Sequence, residues 1–128
     1  MKLLLDAHTF LWFVWDEVQL TNDAKALIVH PTNQKLISTA MYWEIAIKVS
    51  IGKLDLGEPY QAFMHREIAR NHFDLLHVSV DHAAAVSVLP LHHRDPFDRM
   101  LIAQAMVEQI PIVSGDRAFD AYPITRLW

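Results

Sequence analysis

Four acidic residues of this chain stand in apolar or tightly turned surroundings. Asp6 directly follows Leu3-Leu4-Leu5, Glu44 lies within MYWEIAIK, Asp98 within DPFDRMLIAQA, and Asp116 follows IVSG. A carboxylate in such a setting is costly unless something positive meets it. The chain has no cysteine, so thiolate metal sites are excluded. Converging carboxylates are hard oxygen donors, suited to Mg²⁺ or Mn²⁺ rather than to structural zinc. A cation held this way activates water and neutralises charge on a phosphodiester. Two cations about 3.5–4 Å apart would clamp attacking and leaving oxygens, and one cation with a carboxylate base is also workable.

Each acid also has an ordinary account. Asp6 suits a helix cap. Glu44 suits an i,i+4 pair with Lys48, worth about 0.3–0.5 kcal/mol. Asp98 suits the first turn of a helix, and Asp116 an Asx turn after Gly115. The weight rests on their joint occurrence, which requires a fold that brings them to one edge. Asp95, before Pro96, is explained by capping and is assigned a structural role.

Strands and helices are legible from the spacing of apolar residues. Lys2–Leu5 reads as a buried strand, Thr9–Trp15 as a buried helix, and Thr21 caps a helix to about Val29. Pro31-Thr32-Asn33 is a turn and Lys35–Ser38 a strand. A helix follows from Ala40, with Thr39 as cap and Gly52 as stop, and its apolar line is Ala40, Glu44, Ile47, Ile51. Lys53–Leu56 is a connection, and Glu58-Pro59 opens a helix to about His72. Phe73–Val78 is a strand, and Ser79 caps a helix to about Val88. From Pro96 a helix runs with Asp98, Leu101, Ile102 and Ala105 on one inward face. Ile110–Val113 and Ile124–Trp128 are the last strands. Short apolar strands alternating with helices predict an α/β domain with a mainly parallel sheet covered on both faces. Ligands of such sheets bind beyond the carboxyl ends of the strands, where the strand order reverses. Asp6 and Asp116 fall at such ends, while Glu44 and Asp98 fall in early turns of flanking helices.

The 128 residues suit a single domain, residues 1–128, with a substantial core. Hydrophobic residues make up 52%, enough to leave apolar surface for a partner. No run approaches the ~18 apolar residues of a membrane span, and no signal peptide is read at the start. A cytoplasmic protein is expected. A net charge of −4 means that any nucleic-acid contact needs a local basic rim or bound cations.

Weaker candidates surround the acids. Ser114 is placed to orient a water or a carboxylate, or is an ordinary turn serine. Lys48, Arg94, Arg99 and Arg117 are candidate phosphate contacts, or solvated charge. Among eight histidines there is no HExxH spacing, and His92-His93, just before Arg94-Asp95, most invite a metal or acid–base reading. Phe10, Trp12, Phe13 and Trp15 are read as core rather than as a base-stacking platform, with part of the cluster available to a partner.

Taken together, LLLDAHTFLW, STAMYWEIAIK, HHRDPFDRMLIAQA and IVSGDRAF resemble the PIN-domain ribonucleases of the VapC-like toxin type. The segments span nearly the whole chain in the family's order. The resemblance implies a three-layer α/β/α sandwich, with Asp6, Glu44, Asp98 and Asp116 as the acidic set. By it, these four positions hold Mg²⁺ or Mn²⁺; of them, Asp6, Asp98 and Asp116 are read as the ligands, with Glu44 completing the site through water or as the base. Ser114 takes the family's hydroxyl position, while Ala7 stands where a threonine is common. It further implies an RNA substrate, a homodimer, and a cognate antitoxin whose tail occupies the groove.

The reading is therefore a metal-dependent endoribonuclease, the toxin of a toxin–antitoxin pair, with Ser114, Lys48, Arg99 and Arg117 touching substrate. Two rivals remain at this point. One is a catalytically inactive module of the same fold. The other is a phosphoacceptor domain of flavodoxin-like fold, although Asp6 lacks an acidic neighbour and no Lys-Pro is present. A sugar-phosphate phosphatase is disfavoured because DAH lacks a second aspartate.

Overall fold

The computed structural model describes residues 1–128. Strands β1 (Lys2–Leu5), β2 (Gln34–Ser38), β3 (Asp74–Leu76), β4 (Ile112–Val113) and β5 (Arg126–Leu127) form one sheet. Its order is β3-β2-β1-β4-β5, and every neighbouring pair is parallel. The helices are α1 (Ala7–Val14), α2 (Asn22–Val29), α3 (Thr39–Ser50), α4 (Tyr60–Arg70), α5 (Val80–Ser87) and α6 (Pro96–Glu108). A flavodoxin-like sheet runs 2-1-3-4-5. The observed order corrects the phosphoacceptor rival.

Side chains alternate across the sheet, as strand geometry requires. Leu3, Leu5, Ile37 and Val113 join Phe10, Ile28, Met41, Ile45 and Phe63 from α1 to α4. Leu4, Leu36 and Ile112 join Leu101, Ile102 and Ala105 of α6 with Phe119 and Tyr122. Two cores on opposite faces make the three-layer α/β/α sandwich. Each fully buried Leu or Phe contributes about 1.5–3 kcal/mol relative to exposure.

Several boundaries move for local reasons. Asp6 caps α1, which therefore begins at Ala7 rather than Thr9. Ser38, not Thr39, caps α3, accepting from the Ala40 N–H at 3.1 Å. Thr39 Oγ1 instead accepts from the Val78 N–H at 3.2 Å. That bond takes the chain out of the sheet, so β3 ends at Leu76 and not at Val78. Gly52 stops α3 as expected, at φ 74°. The N–H groups of Gly52 and Lys53 return to the Val49 and Lys48 carbonyls, a Schellman ending. The buried face of α3 is Met41, Glu44 and Ile45, while Ile51 of the expected apolar line is exposed. β4 and β5 are two residues each, shorter than expected, and a 3-10 turn over Arg117–Ala121 separates them.

Candidate metal centre

The chain leaves β1 for β2 and β3 on one side, then crosses to β4 and β5 on the other. The crevice beyond the carboxyl ends of β1 and β4 is thus the point where the order reverses. Leu5 is in register with Val113, so Asp6 and Ser114 leave the sheet side by side. Asp6 Oδ1 accepts from the Thr9 N–H at 2.8 Å, and its Oδ2 accepts from Ser114 Oγ at 2.6 Å. The same hydroxyl accepts from the Asp116 N–H at 3.0 Å. One buried hydroxyl therefore ties Asp6 to the backbone of Asp116. Asp116 Oδ1 also accepts from the Ala118 N–H at 2.9 Å, the Asx turn read as its ordinary role. Capping takes Oδ1 of both Asp6 and Asp116, while Oδ2 of Asp6 meets Ser114 and Oδ2 of Asp116 lies 3.9 Å from His93.

Ser114→Ala is expected to cost about 1–3 kcal/mol, because it leaves a buried carboxylate oxygen without its donor. It is also expected to weaken Mn²⁺ binding about 10–100-fold, the usual effect of losing a group that orients a ligand. Thermal melts with and without Mn²⁺ read both.

Glu44 enters from α3 and is 6% exposed, with Lys48 Nζ at 3.0 Å. Asp98 enters from the first turn of α6, whose cap is Asp95, accepting from the Phe97 and Asp98 N–H groups at 2.9 Å each. The Asp98 carboxyl is pushed up to about 7, first by burial and then by the negative charges of Asp95, Glu44, Asp6 and Asp116. A group that feels all three other acids of the set marks the crevice as a focus of like charge. A divalent cation relieves such crowding.

The sign of the pH effect follows. The folded state binds the Asp98 proton more tightly than the unfolded chain does. Its contribution to stability is complete below the ordinary value near 3.8 and is lost as pH rises through about 7. The metal-free protein is expected to lose thermal stability over that window, and the stabilisation by Mn²⁺ to grow over it. Melting curves at pH 5.5 and 8 in EDTA and in Mn²⁺ measure it. Equal metal stabilisation at both values would contradict it.

His93 is the residue that sequence reasoning placed too low. Its Nε2 lies 3.1 Å from Asp98 Oδ2 and 3.9 Å from Asp116 Oδ2. Ligand atoms of His93, Asp98 and Asp116 all fall within 4.8 Å of one another. The Nδ1 of His93 accepts from the Asp95 N–H at 3.2 Å. That hydrogen bond assigns the neutral ring's proton to Nε2, facing the carboxylates. In this state the Nε2 proton, not a lone pair, is turned toward Asp98 and Asp116. The loop carrying it is fixed from below. The Tyr122 hydroxyl accepts from the His92 and His93 N–H groups at 3.0 and 2.8 Å and donates to the Pro90 carbonyl at 2.7 Å. The available signal was the HHRD adjacency itself.

The basic residues divide. Arg99 is corrected as a phosphate contact. Its guanidinium donates to the carbonyls of Pro90, His93, Leu89 and Val86 at 3.1, 3.2, 3.1 and 3.5 Å. Those bonds take up four N–H donors and hold the His93 loop to the end of α5. Lys48 is paired with Glu44. Arg117 is exposed, next to Asp116, and Arg94 is exposed on the loop.

The donor set fits a hard divalent cation: carboxylates from four elements, two of them buried, with no thiolate and with the lone pair of the one nearby imidazole already taken by the Asp95 N–H.

The PIN domain family model matches residues 3–124. Comparison with curated protein sequences gave no match. Among solved structures, the chain is similar to one in VapBC2 from Rickettsia felis, bound to a DNA fragment from the promoter. The TM-score is 0.75 at 15% identity, covering 100% of this chain and 99% of that one. It is also similar to a chain of VapBC-1 from nontypeable Haemophilus influenzae, with TM-score 0.63, 11% identity, and coverage of 99% and 97%. A chain of FitAcB from Neisseria gonorrhoeae gives TM-score 0.66 and 14% identity, covering 98% and 96%.

Proposed function

The chain belongs to the PIN-domain family, and on that premise we propose that it is a metal-dependent endoribonuclease, the toxin of a toxin–antitoxin pair. The observation that carries the reading is the Ser114 hydroxyl joining Asp6 to Asp116 beside an Asp98 crowded by the other acids. The toxin assignment rests on the VapC-like motifs and on structural likeness to chains of VapBC and FitAcB complexes. Residues 1–128 act as one domain, in the cytoplasm.

Asp6, Asp98 and Asp116 would hold Mg²⁺ or Mn²⁺. When bound, the cation supplies Lewis-acid charge to the phosphodiester and makes water a stronger acid. Ser114 fixes the rotamer of Asp6, so that ligand is pre-aimed. Glu44 receives the proton of the attacking water or orients it, and Lys48 restrains the Glu44 carboxylate. Arg117 and Lys48 offer positive charge to phosphate oxygens at the rim. Water attacks phosphorus, the bond from phosphorus to the 3′ oxygen breaks, and that oxygen takes a proton from solvent, to which the proton lost by the attacking water is returned. The products carry a 3′-hydroxyl and a 5′-phosphate. Exposed apolar side chains, among them Trp43, Val80, Val88 and Leu91, leave surface for a second copy and for an antitoxin.

The test is cleavage of a total tRNA and rRNA pool by antitoxin-free protein, with Mn²⁺ and with EDTA. Discrete products are expected from the wild type in Mn²⁺ only, and none from Asp6→Asn. Folded wild-type protein that binds no metal and cuts no RNA would overturn the reading in favour of an inactive binding module.

A further inference from the structure

Resting on the nuclease reading, we propose that a cavity beside the acids is a subsite for one unpaired RNA base. The cavity has a volume of ≈ 390 Å³, within the range of about 300–1,000 Å³ found for small-molecule pockets. Asp6 and Asp116 form the wall it shares with the acid cluster. Trp12, Trp128, His8 and Gln19 contribute the rest, along with the backbone at Gly115.

The aromatic groups are arranged as a wedge rather than a closed stack. The Trp12 and Trp128 ring centroids lie 6.0 Å apart at 57°, and His8 and Trp12 lie 5.6 Å apart at 38°. Both indoles are half-buried and pack against the core, which makes the walls rigid. Gly115 is required for this placement, since a Cβ there would come 2.9 Å from the Trp128 ring. The glycine that precedes Asp116 thus also seats an indole against the site.

The charge pattern selects the occupant. No lysine or arginine lines the cavity, so it offers a phosphate no side-chain cation. A neutral ring suits it: the indoles offer aromatic surface, and Gln19 both donates and accepts. Stacking on aromatic side chains tolerates any base, so the subsite fixes one nucleotide without dictating its identity. A base held here is unstacked from its neighbours, which places the cut in a single-stranded loop or end.

The test uses Asp98→Asn, which lies outside the cavity and is expected to cut RNA slowly enough for binding to be read, in Mg²⁺. Indole fluorescence is titrated with a single-stranded RNA of mixed sequence and with a ribose-phosphate strand of equal length that lacks bases. Quenching is expected with the RNA and not with the abasic strand. Added Trp128→Leu or Gln19→Ala is expected to weaken RNA binding roughly tenfold, and Trp128→Phe to retain most of it. Equal binding of both strands, or unchanged binding in Gln19→Ala and His8→Ala, would overturn the subsite. Those two side chains are exposed, so the subsite is still open to refutation if Trp128→Leu fails to fold. Metal-dependent cleavage by the wild type is read separately. Cleavage without base-dependent binding removes the subsite alone, and base-dependent binding without cleavage removes the nuclease reading alone.

Discussion

Asp98→Asn is expected to stabilise the metal-free protein while slowing RNA cleavage roughly 10²–10³-fold, the usual cost of removing one charge-stabilising group from an active site. The two effects share a cause. Asp98 carries its carboxyl pushed up to about 7 by burial and by four negative neighbours. An amide of the same shape removes that repulsion. The expected gain at pH 8 is about 1–2 kcal/mol, less than the full shift implies, because Asp98 also gives up His93 at 3.1 Å and its place in the first turn of α6. With Mn²⁺ added the order reverses, since the wild type gains a ligand-bound state that the variant lacks. Thermal melts in EDTA and Mn²⁺, beside single-turnover cleavage, read both signs. A variant less stable than wild type in EDTA would mean that Asp98 is held by contacts that outweigh the crowding.

Arg99→Lys is expected to destabilise the protein by about 2–4 kcal/mol, with RNA affinity falling only as the fold loosens. A planar guanidinium reaches four carbonyls at once, from Val86 to His93, and an ammonium on a flexible stem does not. The carbonyls released include that of His93, so the loop facing Asp98 is freed with them. Urea unfolding and KM separate this from a phosphate contact. A variant of unchanged stability with a raised KM and a shallower salt dependence would restore Arg99 to the substrate.

Legibility in the sequence followed the reach of each interaction. The parallel sheet, its two covered faces and the acids at strand ends were readable because each depends on local apolar runs and the residue that ends them. The capping role of Asp95 was readable, because capping before proline is a three-residue rule. Arg99 was misread because its partners are backbone carbonyls, which any residue carries and no sequence pattern marks. His93 was undervalued for a related reason: its position depends on Tyr122, 29 residues away, whose hydroxyl pins the loop. The apolar line drawn along α3 held at Glu44 and failed at Ile51, where the Gly52 ending turns the last residue to solvent. Trp12 was assigned to the core, and half of that is right. The cavity it lines exists only because Trp128, at the far end of the sequence, folds onto Gly115.

Everything proposed for this site depends on the acids forming one centre for a divalent cation. Titration of metal-free protein with Mn²⁺, following free Mn²⁺ by electron paramagnetic resonance, examines that dependence without recourse to any RNA. Wild-type protein is expected to remove Mn²⁺ from solution at pH 8, and Asp6→Asn and Asp98→Asn are each expected to weaken this. Weaker uptake by wild type is expected at pH 5.5, where Asp98 holds its proton. Uptake that is absent from folded wild type, or that is indifferent to both substitutions, would contradict a shared metal centre.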